Sequence, residues 1–258
     1  MAMHHSGPLV TVAVPSLNQG RFLDEALASI FAQDVPVEVM IADGGSTDET
    51  PAVLDRWAPR LAWMRSAEDA GQSAAVNECM RHGRAPYVCW LNADDTFLPG
   101  ALRTLTDALD RTPTAPMVYA RCWITNAKGV HLAPAGLMRA SRWMMAQRCP
   151  ISQPGTLIRR SVWEAVGGLD ESLHLALDYD LWWRIMLGFG EPLHLSSYVA
   201  TSRAHLDTKT AGQRWRHYRE SLSVVRRHHG RLPFKWYAKW PYSVAARGLW
   251  HWILSRRA

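Results

Sequence analysis

Three polar side chains directly follow a short apolar run in the first half of the 258-residue sequence: Asn92, Asp94 and Asp95, after residues 87–91. The run is long enough for a buried strand and too short for a typical helix. Carboxylates at the carboxyl end of a parallel strand lie where open α/β sheets bind their ligands. Adjacent carboxylates repel each other unless a cation or hydrogen-bond donors compensate, and oxygen ligands of this kind suit Mg²⁺ or Mn²⁺ shared with substrate phosphates. By themselves, the same residues are also typical of a surface turn that caps the next helix.

The elements expected to position these carboxylates alternate regularly over the first 110 residues. Apolar, strand-like runs occupy residues 9–14, 37–42, 61–65 and 87–91. Segments with helical periodicity follow them, and this alternation predicts a mostly parallel sheet with right-handed crossovers. The polar loops begin after Val14, Ala42, Arg65 and Leu91. Because these loops share one edge of the predicted sheet, the sequence predicts a binding cleft there.

The loop after the second predicted strand has the composition of an anion site. Gly44 and Gly45 allow the backbone to approach a ligand closely. Ser46 with Glu49 three residues later predicts a capping box that starts a helix, and a helix amino terminus favours a phosphate. By itself, a glycine pair is more often a simple tight turn.

The second half of the sequence is less regular. A strand at residues 118–124 and a turn at residues 126–129 predict a hairpin. Further on, the sequence predicts an amphipathic segment (139–147), a strand (156–158) and a short helix (161–166). A helix with acids in its first turn (177–185) and a strand with a turn (199–205) follow.

Charge divides the chain into two unequal parts. The net charge is +6, but residues 213–258 hold eleven of the 29 Arg and Lys residues and one of the 23 acids, so the preceding part carries −4 and the tail +10. The four cysteines lack metal-binding spacing, which favours reduced thiols over a zinc site. No apolar run approaches ~18 residues and the start lacks the core of a signal peptide. We therefore expect a cytoplasmic protein.

The basic tail also contains many aromatic residues, and it admits three interpretations. Its aromatic residues are Trp215, Trp236, Tyr237, Trp240, Tyr242, Trp250 and Trp252. Such a composition favours a helix that lies on an anionic membrane, at the inner face of the plasma membrane. Alternatively, its apolar residues pack on the preceding domain: Leu222, Val225, Leu249, Trp252 and Ile253. Single-stranded nucleic acid is a third partner class, but the acidic cleft would repel it, so no nucleic acid is expected.

Taken together, the motifs resemble those of the inverting family-2 glycosyltransferases of the A-type (GT-A) fold. The resemblance covers residues 9–205 in order. Its motifs are VAVPSLN (12–18), DGGSTD (43–48), GQSAAVN (71–77), LNADD (91–95), GGLDE (167–171), DYDLW (178–182) and RAH (203–205).

The resemblance implies a fold, a division into domains and an activity. The fold is α/β, a Rossmann-like, mostly parallel sheet flanked by helices, with a helical basic and aromatic tail. Residues 1–212 form the catalytic domain, divided into a nucleotide-sugar half (9–110) and an acceptor half (111–212), and residues 213–258 form the tail. The implied activity is metal-dependent transfer of a hexosyl or N-acetylhexosaminyl group from a nucleoside-diphosphate sugar, UDP by default, to a lipid-linked or glycan acceptor hydroxyl.

The resemblance also assigns roles to individual residues. Asp43 would accept a hydrogen bond from the base, and Asn92 would contact the ribose. The implied donor-binding residues are Pro15, Leu17, Asn18, Asp43, Gly45, Ser46, Gly71, Gln72, Asn77 and Asn92. Asp94, Asp95 and His205 are the implied metal ligands, with Mn²⁺ favoured over Mg²⁺ by the imidazole.

Asp178 is the implied general base, which takes the proton of the acceptor hydroxyl; Asp180 is the alternative base, and Asp178 is also typical of a helix cap. Two positions depart from the family pattern: Asn92 replaces a carboxylate of the metal motif, and Leu177 replaces an acid before the base. These departures leave open a catalytically silent nucleotide-sugar binder as an alternative function.

Overall fold

The computed structural model describes residues 7–136, 138–205 and 212–238, and these form a nine-stranded sheet flanked by helices. The strands are β1 Val10–Ser16, β2 Val37–Asp43, β3 Trp63–Ser66, β4 Tyr87–Trp90, β5 Thr96–Phe97, β6 Met117–Thr125, β7 His131–Ala135, β8 Thr156–Arg159 and β9 Leu193–Arg203. The helices are α1 Gly20–Phe31, α2 Thr50–Trp57, α3 Gln72–His82, α4 Ala101–Arg111, α5 Arg142–Gln147, α6 Arg160–Ala165, α7 Leu177–Phe189, α8 Arg214–His229 and α9 Phe234–Ala238. Ala58–Arg60 and Gln153–Gly155 are short 3₁₀ turns.

The first half of the sheet is parallel, as the sequence predicts. β3, β2, β1 and β4 lie side by side in that order, and each neighbouring pair is parallel. Helices connect them, so the ends of β1, β2, β3 and β4 lie at one edge of the sheet. The predicted cleft edge is therefore present.

The second half of the sheet is mixed, in line with the less regular sequence pattern there. β8 lies between β4 and β6 and is antiparallel to both, while β6 and β9 are parallel. β5 follows the acidic turn and pairs with β9 through Thr96 with Thr201 and Phe97 with Ala200. This two-residue strand is too short to give a sequence pattern. It places the end of β9 beside the acidic turn.

Apolar residues pack on both faces of the sheet. In β4, Val88 and Trp90 belong to one buried cluster, and Cys89 belongs to another, because successive strand residues point to opposite faces. α3, α5, α6, α7 and α8 contribute to the first cluster, and α1, α2 and α4 contribute to the second. The Trp90 and Trp182 rings stack with centroids 5.7 Å apart, which fixes α7 on the sheet.

The described part of the tail is helical and packs on the domain. Tyr218, Val224 and Val225 of α8 are buried. Trp236 of α9 donates from Nε1 to the Ala146 carbonyl at 2.7 Å. The predicted tail residues Trp240, Tyr242, Leu249, Trp250, Trp252 and Ile253 lie outside the described residues. Among the helices of the described segments, none is long and apolar enough to cross a membrane.

Candidate active site

The acidic turn is held by one buried arginine from the end of β9. The Arg203 backbone N–H donates to Asp95 Oδ1 at 2.9 Å, and its Nε donates to the Asp94 carbonyl at 2.9 Å. The rest of its guanidinium donates to the Ala127 carbonyl at 2.7 Å and to Glu25 at 2.6 Å. The ion-pair partner of Arg203 is therefore Glu25, and Arg203 fixes the shape of the turn through hydrogen bonds made from 108 residues away in sequence.

Asp94 and His205 form a direct pair beside this arginine. Asp94 Oδ2 lies 2.9 Å from His205 Nε2, and His205 Nδ1 accepts a hydrogen bond from Arg21 at 3.3 Å. The Phe22 ring packs 5.0 Å from the His205 ring and 4.7 Å from the Arg203 guanidinium. Since arginine only donates, Nδ1 accepts and Nε2 carries the proton that is donated to Asp94. Nε2 has a lone pair for a metal only in the other tautomer, in which Nδ1 no longer accepts from Arg21.

Asp94 and His205 fit two ligands of a divalent ion. A carboxylate oxygen and an imidazole nitrogen already converge, and Mn²⁺ accepts both ligand types. No group of three or more His, Cys, Asp or Glu side chains converges within the described segments. A site with two protein ligands suits an ion that is shared with substrate phosphates.

The third predicted ligand, Asp95, has a different environment. It is buried, and its two carboxylate oxygens accept hydrogen bonds from the Arg203 N–H at 2.9 Å and the Asn92 amide at 3.1 Å. Burial and the neighbouring Asp94 charge raise the pKa of Asp95 well above its usual value. Its contacts fix the shape of the turn, and ligation by Asp95 stays a prediction.

Asn92 lies at the centre of a chain of side-chain amides. Its Oδ1 accepts from Gln72 Nε2 at 2.7 Å, and its Nδ2 lies 3.3 Å from Gln153 Oε1. Gln153 in turn donates to the Trp90 carbonyl at 2.7 Å. These bonds connect the start of α3, the end of β4 and the segment before β8. A carboxylate at position 92 would accept the Gln72 bond but could not donate to Asp95.

Asp43 at the end of β2 is fully buried and organises the next loop. Its carboxylate accepts from the Ser46 backbone N–H at 3.0 Å, the Ser46 hydroxyl and the Ser66 hydroxyl, the last at 2.7 Å. Of its roughly four lone-pair sites, three are used. One lone-pair site remains, but the side chain is fully buried, so Asp43 can accept a hydrogen bond from a base only if the loop moves, and this contact stays a prediction.

The expected capping box at Ser46 and Glu49 is not formed. The Ser46 hydroxyl binds Asp43 instead, and α2 begins at Thr50, whose N–H donates to Asp48 Oδ1 at 2.9 Å. Asp48 Oδ2 also accepts the Gly20 N–H at 3.0 Å, which joins the starts of α1 and α2. The Asp48 carboxylate, two residues before the start of α2, therefore accepts the N–H bond at the helix start that was expected for Ser46.

The loops after β1 and β2 are connected directly. Asn18, which has a positive φ of 52°, donates from its backbone to the Ser46 hydroxyl at 2.7 Å and accepts the Thr47 N–H at 2.9 Å. Leu17 is 48% exposed, whereas Pro15 is buried in β1. Gly45 has a φ of 84° and follows Asp43 in this loop. The structure thus brings together Pro15, Leu17, Asn18, Asp43, Gly45 and Ser46 at the carboxyl ends of β1 and β2.

The start of α3 connects the nucleotide-sugar half to the acceptor half. Gly71 has a φ of 115°, and a Cβ there would lie 3.5 Å from His174. The Ser73 hydroxyl donates to the Leu173 carbonyl at 2.9 Å. Asn77 binds Leu169 through both its amide oxygen and its amide nitrogen, at 2.9 and 3.0 Å. Asn77 therefore joins the two halves in this structure, and its contact with a donor stays a prediction.

Asp178 lies in the first turn of α7, immediately after that junction. It is half-buried, and its Oδ1 accepts the Tyr179 N–H at 2.7 Å. Burial raises the pKa of Asp178 to about 6, although hydrogen bonds from the Tyr179 and Asp178 backbones oppose the shift. A carboxylate with a pKa in this range accepts a proton more readily than an ordinary aspartate while it remains ionised at neutral pH.

Asp180, the alternative base, is fully buried in an ion-pair network. It accepts from Arg184 Nε at 2.7 Å and from His228 Nε2 at 2.7 Å, and Arg227 lies at 3.4 Å. The bonds to His228 and Arg184 outweigh burial and lower the pKa of Asp180. A carboxylate without exposed surface and with these partners has a structural role, so the geometry favours Asp178 over Asp180.

Several important residues were not singled out from the sequence. Arg203 was noted only as part of a motif, and Gln153, which precedes β8, was given no role. Glu220 was counted only as the single acid of the basic tail. The sequence signal that could have identified Glu220 is that it is the one acid among the arginines of residues 213–258.

Comparisons with known proteins agree with this architecture. The sequence profile described as Glycosyl transferase family 2 matches residues 11–166. An uncharacterized glycosyltransferase of Rickettsia felis is 25% identical over 212 residues, which cover 77% of this chain and 34% of the relative. A chondroitin synthase of Escherichia coli is 25% identical over 187 residues, which cover 69% of this chain and 26% of the synthase. The chain thus spans about a third or less of these two relatives.

Solved structures of low sequence identity share the fold. Residues 1–349 of S. aureus TarS, in complex with UDP-GlcNAc, give a TM-score of 0.69 at 16% identity and cover 85% of this chain and 66% of that one. The mannosyltransferase PcManGT from Pyrobaculum calidifontis, in complex with GDP-Man and Mn²⁺, gives a TM-score of 0.65 at 20% identity, with coverages of 97% and 74%. The GT-A-like α/β fold expected from the sequence is confirmed.

Proposed function

Because the chain belongs to glycosyl transferase family 2, we propose that it is a metal-dependent inverting glycosyltransferase acting on a nucleoside-diphosphate sugar. One observation carries the proposal: the start of α3 contacts both Asn92 in the acidic turn and the segment that leads into Asp178. Metal-ligand candidates and base candidate thus belong to one connected site.

Asp178 would act as the general base. In a single displacement, the acceptor hydroxyl gives its proton to Asp178 while its oxygen bonds to the anomeric carbon. The bond from that carbon to the diphosphate breaks, and its electron pair leaves with the diphosphate. Attack from the opposite face inverts the configuration.

Asp94 and His205 would hold a divalent ion. When bound, such an ion neutralises charge on the departing diphosphate. Asp95 and Arg203 keep Asp94 in place, and Asn92 with Gln72 borders the ribose and diphosphate. The amino terminus of α3, after Gly71, offers backbone N–H groups to the same diphosphate.

The proposed base pocket is the set of loops after β1 and β2. Asn18 and Ser46 hold these loops together, and exposed Leu17 would pack on the base. A UDP sugar is the proposed donor, supported by the structural similarity to TarS, which binds UDP-GlcNAc. A hexosyl or N-acetylhexosaminyl group is proposed as the transferred sugar, with a glycan or lipid-linked hydroxyl as acceptor in cell-surface glycan synthesis.

The first test is a thermal-shift panel of nucleoside diphosphates with and without Mn²⁺. A ligand at about 100 times its dissociation constant stabilises by ~2.7 kcal/mol. We expect one diphosphate to stabilise the protein only with metal, and Asp94→Ala to remove this effect. Glu25→Gln is the matched control, because Glu25 is a half-exposed acid that contacts Arg203 and not His205.

Transfer is tested with the donor identified by that panel. Asp178→Asn should retain donor binding and lower transfer by about 10²–10⁴-fold, the contribution of a general base. Donor binding with no transfer to any tested acceptor would favour a silent nucleotide-sugar binder. Absence of any diphosphate binding would overturn the donor-site assignment.

We further propose that the chain attaches peripherally to the inner face of the plasma membrane, through residues 213–258. Among the described residues, α5, α8 and α9 are in contact, because Trp236 binds the Ala146 carbonyl and Tyr218 donates to the Trp236 carbonyl at 2.5 Å. These helices carry exposed aromatic side chains: Trp143 (67% exposed), Trp215, Phe234 (82%) and Tyr237 (61%). Exposed aromatics with cations suit an anionic lipid surface.

Charge on this surface is of one sign. Residues 212–238 contain seven Arg and Lys residues and one acid, Glu220, whose carboxylate faces the protein. Phe234→Ser with Tyr237→Ser should reduce sedimentation with phosphatidylglycerol vesicles, whereas Phe189→Ser, an exposed aromatic at the end of α7, should not. Equal binding of both variants, or binding of a single-stranded oligonucleotide in place of vesicles, would contradict membrane attachment through this surface.

A further inference from the structure

Helix α8 holds the segment that leads into α7 through one carboxylate. Glu220 Oε2 accepts three successive backbone N–H groups, from His174 at 3.1 Å, Leu175 at 2.7 Å and Ala176 at 3.1 Å. Its other oxygen, Oε1, accepts from Arg216 Nε at 3.1 Å. N–H groups before a helix need acceptors, and here the acceptor comes from another helix, 44 to 46 residues later in the chain.

A second contact from α8 lies inside the first turn of α7. His228 Nε2 donates to Asp180 Oδ1 at 2.7 Å, and the His228 and Trp183 rings stack with centroids 6.1 Å apart. Arg184 binds the other Asp180 oxygen from within α7. α8 therefore contacts α7 on both sides of Asp178, two residues before it at Ala176 and two residues after it at Asp180.

We propose that Glu220 and His228 are positioning residues, which fix the first turn of α7 so that the Asp178 carboxylate is held at the angle required to accept the proton of the attacking hydroxyl. This inference rests on the proposed role of Asp178. Neither residue needs to touch substrate.

The geometry explains why Asp178 depends on its surroundings for its position. Its carboxylate binds the N–H of Tyr179, the next residue in the same turn, so the side chain moves with the backbone of that turn. That backbone is fixed from outside by the three N–H bonds to Glu220 and by the Asp180 network. Misplacement of a reacting group by about 1 Å can cost ~10²-fold in rate.

Within the described segments, the titratable groups that interact electrostatically with Asp178 include Cys149 and Tyr179. Burial raises the pKa of both above their usual values, so both are neutral where Asp178 titrates. Loss of either contact from α8 would admit water to Asp178, and its protonation would move to lower pH.

The experiment uses the full chain, five variants and Asp178→Asn as the reference. Glu220→Ala and His228→Ala remove the contacts. Glu220→Gln retains an oxygen acceptor, and His228→Gln retains an N–H donor. Glu164→Gln is the matched control, because Glu164 is an exposed acid on α6 whose ion-pair partner is Arg160 at 3.9 Å. Thermal unfolding and nucleotide binding verify that each variant is folded.

Two readouts are followed. The first is the pH at which Asp178 is protonated, from infrared difference spectra against Asp178→Asn, and it needs no ligand. The second is hydrolysis of UDP-GlcNAc and GDP-mannose, in which water gives its proton to Asp178, its oxygen bonds to the anomeric carbon, and the diphosphate leaves with the electron pair of the broken bond.

We expect each alanine variant to lower the maximal hydrolysis rate by about 10²-fold and to move Asp178 protonation to lower pH, with nucleotide affinity unchanged. The Gln variants should recover most of the rate, and Glu164→Gln should match the unsubstituted protein. Unchanged protonation pH in folded alanine variants would overturn the inference. Hydrolysis that survives Asp178→Asn would instead overturn the role of Asp178, while the infrared readout would still test its positioning.

Discussion

The nucleotide-sugar half and the acceptor half hold their polar residues in different ways. In the first half, loops at neighbouring strand ends bind one another, as Asn18 binds Ser46 and Thr47. In the second half, Asp178 and Asp180 lie on a helix whose first turn is fixed by α8, between 44 and 48 residues later. The proposed donor site is therefore built at the edge of the sheet, whereas the proposed base lies on a helix that a separate helix holds.

The largest expected effect comes from Asp180→Asn, which tests the dependence of the acceptor half on α8. Breaking a buried ion pair costs about 3–5 kcal/mol. Because the folded-state pKa of Asp180 is lowered, its stabilisation is present above the unfolded-state pKa of ~3.9 and is lost as pH falls through the folded value. Urea unfolding should show a large deficit at pH 7 that shrinks below pH ~4. If Asp180→Asn lowered the free energy of unfolding by the same amount at pH 7 and below pH ~4, the charge of Asp180 would be unimportant for stability.

A second large effect is expected from Arg203→Met, which challenges the view that the nucleotide-sugar half is held locally. The buried guanidinium donates to two carbonyls, and removal leaves both without that donor, at about 1–3 kcal/mol for each buried group. Thermal unfolding should report the loss. Glu25→Gln, which affects only the half-exposed end of the same network, should change stability by under ~1 kcal/mol. Equal losses in both variants would place the stabilisation in the ion pair rather than in the carbonyl contacts.

The smallest effect, and of opposite sign, is expected from Asp178→Asn. The folded-state pKa of Asp178 is raised to about 6, so its ionised form destabilises the fold above that pH and its protonated form does not below ~4. The amide oxygen can still accept the Tyr179 N–H. At pH 8 the variant should melt about 2–4 °C above the unsubstituted protein, the shift produced by ~1 kcal/mol in a chain of this size. At pH 4 the two proteins should melt at the same temperature. A lower melting temperature at pH 8 would contradict the assignment of Asp178 as a destabilised, functional carboxylate.

The sequence predicted the nucleotide-sugar half well for a physical reason. Period-two strands, helical periodicity and polar strand ends are local signals, and they placed Asn92, Asp94 and Asp43 correctly at the sheet edge. The resemblance added His205, whose partner Asp94 lies 111 residues away. The predicted capping box was wrong because Asp48, a competing acceptor in the same loop, accepts the N–H of Thr50 at the start of α2.

The acceptor half was less predictable because its contacts have no local pattern. β5 is two residues long, and β8 enters the sheet antiparallel between strands that are distant in sequence. Glu220 accepts the N–H groups of residues 174–176, just before α7, and no local sequence spacing predicts a contact between segments so far apart. The basic composition of the tail favoured a membrane partner, whereas α8 contacts the domain through Tyr218 and Val225 on one side and through Glu220 on another.

The pairing of β5 with β9 has a consequence for the order in which the protein is made. A growing chain produces the acidic turn more than a hundred residues before Arg203 and His205 are synthesised. Until then the Asp94–His205 pair and the Arg203 contacts with Asp94 and Asp95 cannot form. Such distant contacts also slow folding, because a long loop must close first. The proposed site is therefore completed only after β9 has been made.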